Sequence, residues 1–283
     1  MAKGFTHDIS LSPASSGAAR SLYWMTDLHL DAMPEEKWKL FFRQLSHEAF
    51  DGLLIGGDIV NGINSLKVLK EIEGIIERPL YFVLGNHDFY YGSIEKIRKL
   101  AKALAMKTAN LHYLTYSDPI PLNADVALVG HDGWSDARTG NFLASTIMLN
   151  DYLFIEELKK LKGKDLEGKL QELGHKSALS AEIVLMKALD QFKTVVFLTH
   201  SSPFREACLY EGKICDDNWG PHFVSTAVGQ MLSKAARAYP DKSLLVLSGH
   251  SHEKADVSMA DNLRVLSGKT DLGSLCLQGV IRL

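Results

Sequence analysis

Short, wholly apolar runs recur along this chain, and each stops on the same small vocabulary of glycine, aspartate, asparagine and histidine. Leu22 to Met25 runs into Thr26-Asp27, Leu53 to Ile55 into Gly56-Gly57-Asp58, and Leu80 to Leu84 into Gly85-Asn86-His87-Asp88. Apolar runs this short, bounded by turn formers, read as buried strands. Each is followed by a longer segment with apolar residues at helical spacing: Glu35 to Phe50, Ser65 to Glu77, and Ile94 to Met106. Three strand–helix units in succession predict an α/β fold. Leu111 to Leu114, Val126 to Val129, Val195 to Leu198, Leu244 to Leu247 and Leu263 to Leu266 supply further strands, and the alternating stretch Leu275 to Ile281 an edge or final strand.

A chain of 283 residues with 46% apolar and 23% charged residues has ample material for a core, so disorder is excluded as its theme. One domain is expected over residues 21–283, because α/β folds of this length often stay undivided. Residues 1–20 read as a loosely structured N-terminal leader, the stretch Ser10 to Ala19 being rich in Ser, Ala and Gly. From Leu149 to Phe192 the pattern turns helical, which marks an insertion at about residues 135–192; the Lys and Glu residues from Lys159 to Lys176 suit a solvated helix face. A formal charge of −3 gives no general electrostatic reason to expect nucleic acid or an anionic membrane as partner. No apolar run approaches the roughly 20 residues a membrane span needs. Cys208, Cys215 and Cys276 form no CxxC pair, which fits a reducing cytoplasm.

Ligands of open α/β folds gather at the carboxyl ends of strands, so the residues just beyond the apolar runs carry the most functional weight. Those residues are all of one chemical kind. Asp27-Leu28-His29, Asp58, Asn86-His87-Asp88, His200 and His250-Ser251-His252 are each potential metal ligands or proton carriers. In an extended segment residues i and i+2 point to the same side, so Asp27 with His29, and His250 with His252, are each expected to present two ligands to one place. Gly57, Gly85 and Gly249 precede three of the groups and allow close backbone approach. Imidazole and carboxylate without thiolate suit Mn, Fe, Zn, Co or Ni better than Ca.

Taken in order, these blocks resemble those of the calcineurin-like metallophosphoesterase superfamily: D-x-H as Asp27-Leu28-His29, G-D as Gly57-Asp58, G-N-H-D as Gly85-Asn86-His87-Asp88, a lone His200, and G-H-x-H as Gly249-His250-Ser251-His252. The resemblance runs from about Ser21 to the C-terminus. It implies a two-sheet β-sandwich flanked by helices, with the metal site at the C-terminal ends of the strands. It implies two metal ions, divalent or of mixed valence, with Mn or Fe the first choice and Zn, Co or Ni compatible. Asp27, His29, Asp58 and His252 would hold one ion, and Asp58, Asn86, His200 and His250 the other, with Asp58 as the bridge. Such a centre would hydrolyse a phosphomonoester or phosphodiester by a metal-bridging hydroxide, with no protein nucleophile. His87, beside ligand Asn86 but not itself a ligand, is the expected proton donor to the leaving oxygen, and Asp88 is expected either to orient it or to cap the loop.

Other functions fit less well. A non-catalytic protein-binding module on the same fold should have lost ligands, whereas all seven positions and His87 are intact. The H-x-H-x-D-H run of metallo-β-lactamase-like hydrolases is absent, and no basic stripe or base-stacking aromatic series points to a nuclease. His131-Asp132-Gly133-Trp134 could form a pocket wall or a plain structural turn. Asn218-Trp219-Gly220-Pro221-His222-Phe223 reads as packing before leaving-group pocket, and Asp136 with Arg138 as a surface pair before a phosphate contact.

Overall fold

The computed structural model describes residues 7–11 and 20–283. The first half runs β1 (His7–Ser10), β2 (Ser21–Met25), α1 (Glu35–Ser46), β3 (Gly52–Ile55), α2 (Asn64–Ile76), β4 (Leu80–Phe82), α3 (Ile94–Lys107), β5 (Leu111–Tyr113), β6 (Ile120–Pro121) and β7 (Val126–His131). It continues with α4 (Asp151–Phe154), α5 (Gly163–Gln191), β8 (Thr194–Thr199), the hairpin β9 (Leu209–Tyr210) and β10 (Lys213–Ile214), α6 (Gly220–Phe223), α7 (Thr226–Ala238), β11 (Ser243–Ser248), β12 (Ala255–Ala260), β13 (Leu263–Ser267) and β14 (Gly279–Arg282).

Two six-stranded sheets result, ordered β1-β14-β2-β3-β4-β5 and β12-β13-β11-β8-β7-β6. Their side chains sort by the period-2 rule. Leu22 and Trp24 of β2, Leu54 of β3, Val196 and Leu198 of β8, and Leu245 and Leu247 of β11 all meet in one buried cluster between the sheets. The alternate residues Tyr23, Met25, Leu53 and Ile55 pack outward with Phe42 of α1 and Leu69 of α2. On the other outer face Val195, Phe197, Leu244 and Val246 pack with Leu185 of α5 and Leu232 of α7. The predicted sandwich with helices on its flanks is therefore the observed architecture. Strands β2 to β5 are mutually parallel, as are β7, β8, β11 and β13. The polar loops that follow β2, β3, β4, β8 and β11 meet at one end of the sandwich.

The structure departs from the sequence reading at several places. Part of the expected loose leader, His7–Ser10, is a strand that pairs in parallel with β14, and the Asp8 carboxylate meets Arg282 at 2.9 Å. Residues 1–6 and 12–19 of that leader lie outside the described residues. Because β1 covers it, β14 is the final strand but not an edge. The insertion is helical only in part, since α-helix begins at Asp151 and then at Gly163. In α5 the buried residues Leu166, Leu170, Leu173, Ser177, Ala181, Leu185 and Ala188 form one stripe. Away from that stripe, the exposed Glu172 and Lys176 and the half-buried Lys169 form surface ion pairs, as the charge run suggests. No helix among the described residues is long and apolar enough to cross a membrane.

Candidate metal centre

The loops after β2 and β3, and those after β8 and β11, are locked in pairs through their backbones. Asp27 N donates to Gly57 O at 3.0 Å, His29 N to Asp58 O at 2.9 Å, and Gly249 N to His200 O at 2.8 Å. Asp27, His29, Asp58, His250 and His252 all have positive φ, between 39° and 72°, where non-glycine residues are uncommon. Two glycines are required by space. A Cβ on Gly85 would lie 2.1 Å from Asp58 Oδ1, and one on Gly249 would lie 2.0 Å from Asp27 Oδ2. These glycines make room for the carboxylates.

Two groups of ligand atoms result, each with its members within 4.8 Å of one another: Asp27, His29, Asp58 and His252 in one, and Asp58, His200 and His250 in the other. Asn86 joins the second, its Oδ1 lying 3.0 Å from His200 Nε2. Asp58 belongs to both groups, with Oδ2 at 3.6 Å from His29 Nε2 and 3.5 Å from His200 Nε2. In the first group His252 Nε2 is 3.4 Å from Asp27 Oδ1. All seven sequence candidates are thus brought together. The pairing rule is corrected in one case: Asp27 and His29 share a group, but His250 and His252 face different ones, and neither pair has the extended backbone the rule assumes.

The surrounding hydrogen bonds fix which atoms face inward. His200 Nδ1 donates to Gly56 O at 2.9 Å, which leaves the Nε2 lone pair for the site. His250 does the reverse, donating from Nε2 to His222 O at 3.0 Å and so presenting Nδ1. The Asn86 amide nitrogen donates to Asp151 Oδ1 at 2.8 Å, and this turns its oxygen toward His200. Acceptor therefore faces acceptor where His200 Nε2 meets Asn86 Oδ1 at 3.0 Å, and His29 Nε2 lies the same distance from His252 Nε2. The His200–Asn86 contact is repulsive unless a proton or a cation lies between the two atoms. Burial opposes charge on His200, yet the Asp58 and Asp27 carboxylates hold its pKa above the usual value. Burial likewise opposes charge on His252, and its hydrogen bond to Asp27 overcomes that. For Asp27, burial is outweighed by the His252 hydrogen bond and the nearby His200 charge, so its carboxyl stays well below the usual range. His250, by contrast, is pushed down to about 3 by burial and by the charge of His200. The donor set fits two cations: two buried carboxylates, four imidazoles and an amide oxygen.

His87 stands at the rim, with Nε2 3.9 Å from Asp58 Oδ2 and its side chain 29% exposed. Its Nδ1 is held by Asn61 Oδ1 at 3.0 Å, and its ring lies over Tyr90 with centroids 4.4 Å apart. Asn61 is in turn bonded to Asp31. Asp88 does not orient His87. Its fully buried carboxylate accepts from Gly85 N and Asp58 N through Oδ2, and from Ile59 N and Ser65 Oγ through Oδ1, so it is the loop cap. Asn61 and Asp151 escape a sequence reading because each is an ordinary residue type, 26 and 65 residues along the chain from the group it serves.

The remaining candidates resolve into structural parts and walls. Asp132 is buried and accepts from Leu84 N, Arg98, Tyr113 and Thr115, which fixes the end of β4. Asp136 pairs with Arg138 at 3.0 Å, but it is buried and also accepts from Thr226 N and Ala227 N at the start of α7. In the Asn218–Phe223 segment, Trp219 stacks on Tyr210 at 4.0 Å and Phe223 lies 4.7 Å from the His250 ring. A cleft of about 810 Å³ opens over the ligands, with Met148, Tyr210 and Phe223 beside Lys254, Lys269 and Glu211.

The sequence profile of the calcineurin-like phosphoesterases matches residues 21–254. No curated protein sequence matches the chain. Among solved structures, a phosphopantetheinyl hydrolase from Mycobacterium tuberculosis superimposes with a TM-score of 0.63 at 13% identity, covering 92% of this chain and 96% of the other. A dimetal phosphatase from Danio rerio superimposes with a TM-score of 0.56 at 12% identity, covering 90% of this chain and 88% of the other. At such identities the likeness is one of fold.

Proposed function

The chain belongs to the calcineurin-like phosphoesterase family, and from that premise we propose that it hydrolyses a phosphomonoester or phosphodiester at a dinuclear metal centre. The observation that carries the reading is the pair of ligand groups sharing buried Asp58, with the lone pair of His200 Nε2 facing Asn86 Oδ1 at 3.0 Å, below an open cleft. When bound, two divalent ions supply a centre of about +2 against the two carboxylates and the acidity that turns water into a nucleophile. Mn or Fe is the first choice of metal, with Zn, Co or Ni compatible with the same donors.

The chain's own residues do the rest. Asp27, His29 and His252 hold one side of the centre, and Asn86, His200 and His250 the other. His87 faces the cleft through Nε2, since Asn61 engages its Nδ1, and a proton on Nε2 is placed to pass to the leaving oxygen. Lys254 and Lys269 line the cleft beyond the ligands and supply positive charge to an anionic ester, while Met148, Tyr210 and Phe223 offer apolar surface to the leaving group.

The test is metal content by elemental analysis, paired with hydrolysis of p-nitrophenyl phosphate and bis-p-nitrophenyl phosphate after stripping and re-adding each metal. Two metals per chain with metal-dependent turnover supports the proposal, and the preferred ester separates monoesterase from diesterase. Asp58→Asn and His250→Ala are expected to abolish that turnover. Wild-type rates in either fully metallated variant, or no metal binding by the native chain, would overturn the assignment.

A further inference from the structure

The segment between β7 and β8 does more than extend the core, and two adjacent residues of α4 show how. Asp151 is buried, and its Oδ1 accepts from Asn86 Nδ2 at 2.8 Å and from Tyr90 OH at 2.8 Å. A carboxylate can only accept here, so the Asn86 amide must turn its NH2 toward Asp151 and its oxygen toward His200. Tyr152, the next residue, places its hydroxyl 2.6 Å from His222 Nδ1, while Ser145 Oγ meets His222 Nε2 at 2.8 Å. The ring of His222 is thereby fixed at both nitrogens, and its backbone carbonyl is the group that accepts from His250 Nε2. One turn of helix therefore steers two ligands: Asn86 directly, and His250 through His222.

Both ligands belong to the same half of the centre. The other half has supports of its own, with Thr26 Oγ1 donating to Asp27 at 2.7 Å, and Asp27 N and His29 N donating to Gly57 O and Asp58 O at 3.0 and 2.9 Å. The helix is itself firmly seated, since Tyr91 N donates to Phe154 O, Glu156 N to Gly92 O, and Tyr152 and Ile155 lie in the helix-side core.

We infer that Asp151 and Tyr152 are positioning residues for the Asn86–His200–His250 metal, so that the insertion sets the occupancy of that half of the centre and not of the other. The inference rests on the dinuclear reading above. Groups that orient metal ligands typically change metal affinity by about 10–100-fold when removed. That loss is expected in one of the two binding steps.

The experiment titrates metal-stripped full-length protein with Mn2+ and follows stoichiometry by calorimetry and spin coupling by electron paramagnetic resonance. The native chain should take two ions and show a coupled pair. Asp151→Ala and Tyr152→Phe should keep one step unchanged, weaken the other ten- to hundredfold, and show the signal of an isolated ion at intermediate metal. Asp151→Asn retains an oxygen that can accept from Asn86 and Tyr90, and should restore much of the second step. Glu157→Gln disturbs the same segment where it meets Ser93 and the start of α3, away from the ligands, and should leave both steps as they are. Two native-strength steps in Asp151→Ala and Tyr152→Phe would overturn the inference, as would equal weakening of both steps in chains whose circular dichroism is native. A native chain that binds no metal would instead remove the dinuclear reading itself.

Discussion

Removing the Asp88 carboxylate should cost the fold more than it costs the chemistry. In Asp88→Ala three backbone N–H groups lose their acceptor at once, those of Gly85, Asp58 and Ile59, at 2.8, 2.9 and 2.9 Å in the native chain. Each stranded buried donor costs about 1–3 kcal/mol. Water entering the vacated space would satisfy some of them, so the low end of the sum, about 3–5 kcal/mol, is the expected loss. Set against a total stability of about 5–15 kcal/mol, that is severe, and at 3 kcal/mol it corresponds to a fall in Tm of roughly 6–12 °C. Asp88→Asn should be milder. If its amide nitrogen turns to Ser65, whose hydroxyl can rotate to accept, Ile59 N alone is left without a partner, at a cost of about 1–3 kcal/mol. The assay is urea and thermal denaturation of metal-free protein, with the pH profile of kcat measured alongside. A native melting curve for Asp88→Ala together with a lost limb of the pH profile would show that Asp88 works with His87 in proton transfer, and the reasoning from its hydrogen bonds would fail.

Three further outcomes are expected. His87→Ala should keep both metals but lose turnover, about 100-fold or more for esters with poor leaving groups and much less for p-nitrophenyl esters; equal losses across leaving groups would remove it from proton donation. Metal affinity should fall as pH falls, because His200 and His252 are held above their usual pKa in the free site and must shed protons before they can bind a cation. Calorimetry in buffers of different ionisation enthalpy would show proton release at neutral pH, and none at all would contradict the assignment. Gly249→Ala should displace Asp27, since the added Cβ would lie 2.0 Å from Asp27 Oδ2 and 2.2 Å from Thr26 Oγ1, and a native metal stoichiometry in that variant would show that the loop can yield.

The ligands are legible in the sequence because strand ends are legible. Each buried run is short and apolar, and parallel pairing then carries the loops after β2, β3 and β4, and those after β8 and β11, to one end of the sandwich. What surrounds those ligands is harder to read. Adjacency makes Asp88 look like the partner of His87, but His87–Phe89 is a 3-10 turn, where consecutive side chains diverge by about 120°, and Asn61 takes the place instead. Asp151 lies 65 residues from Asn86, and nothing in its own neighbourhood marks it as a partner. Strand β1 escapes for a similar reason: its pairing partner, β14, lies at the far end of the chain, and a Ser-, Ala- and Gly-rich stretch follows it directly.

The backbone of the site explains why sequence spacing alone could not divide the ligands between the two groups. Five ligand residues sit in left-handed conformation, and each such residue costs about 1–2 kcal/mol relative to its preferred geometry. That cost is sustained because the loops hold one another, through Asp27 N to Gly57 O, His29 N to Asp58 O and His250 N to the Asp27 carboxylate. No loop acquires its ligand geometry from its own residues, so i and i+2 spacing puts Asp27 and His29 together yet sends His250 and His252 apart. The same mutual bracing leaves the lone pair of His200 Nε2 facing Asn86 Oδ1 at 3.0 Å, a contact that a proton on His200 would relieve in the metal-free chain. A cation between those atoms does the same work without needing a proton. Metal binding and the stability of these loops are therefore two readings of one free energy.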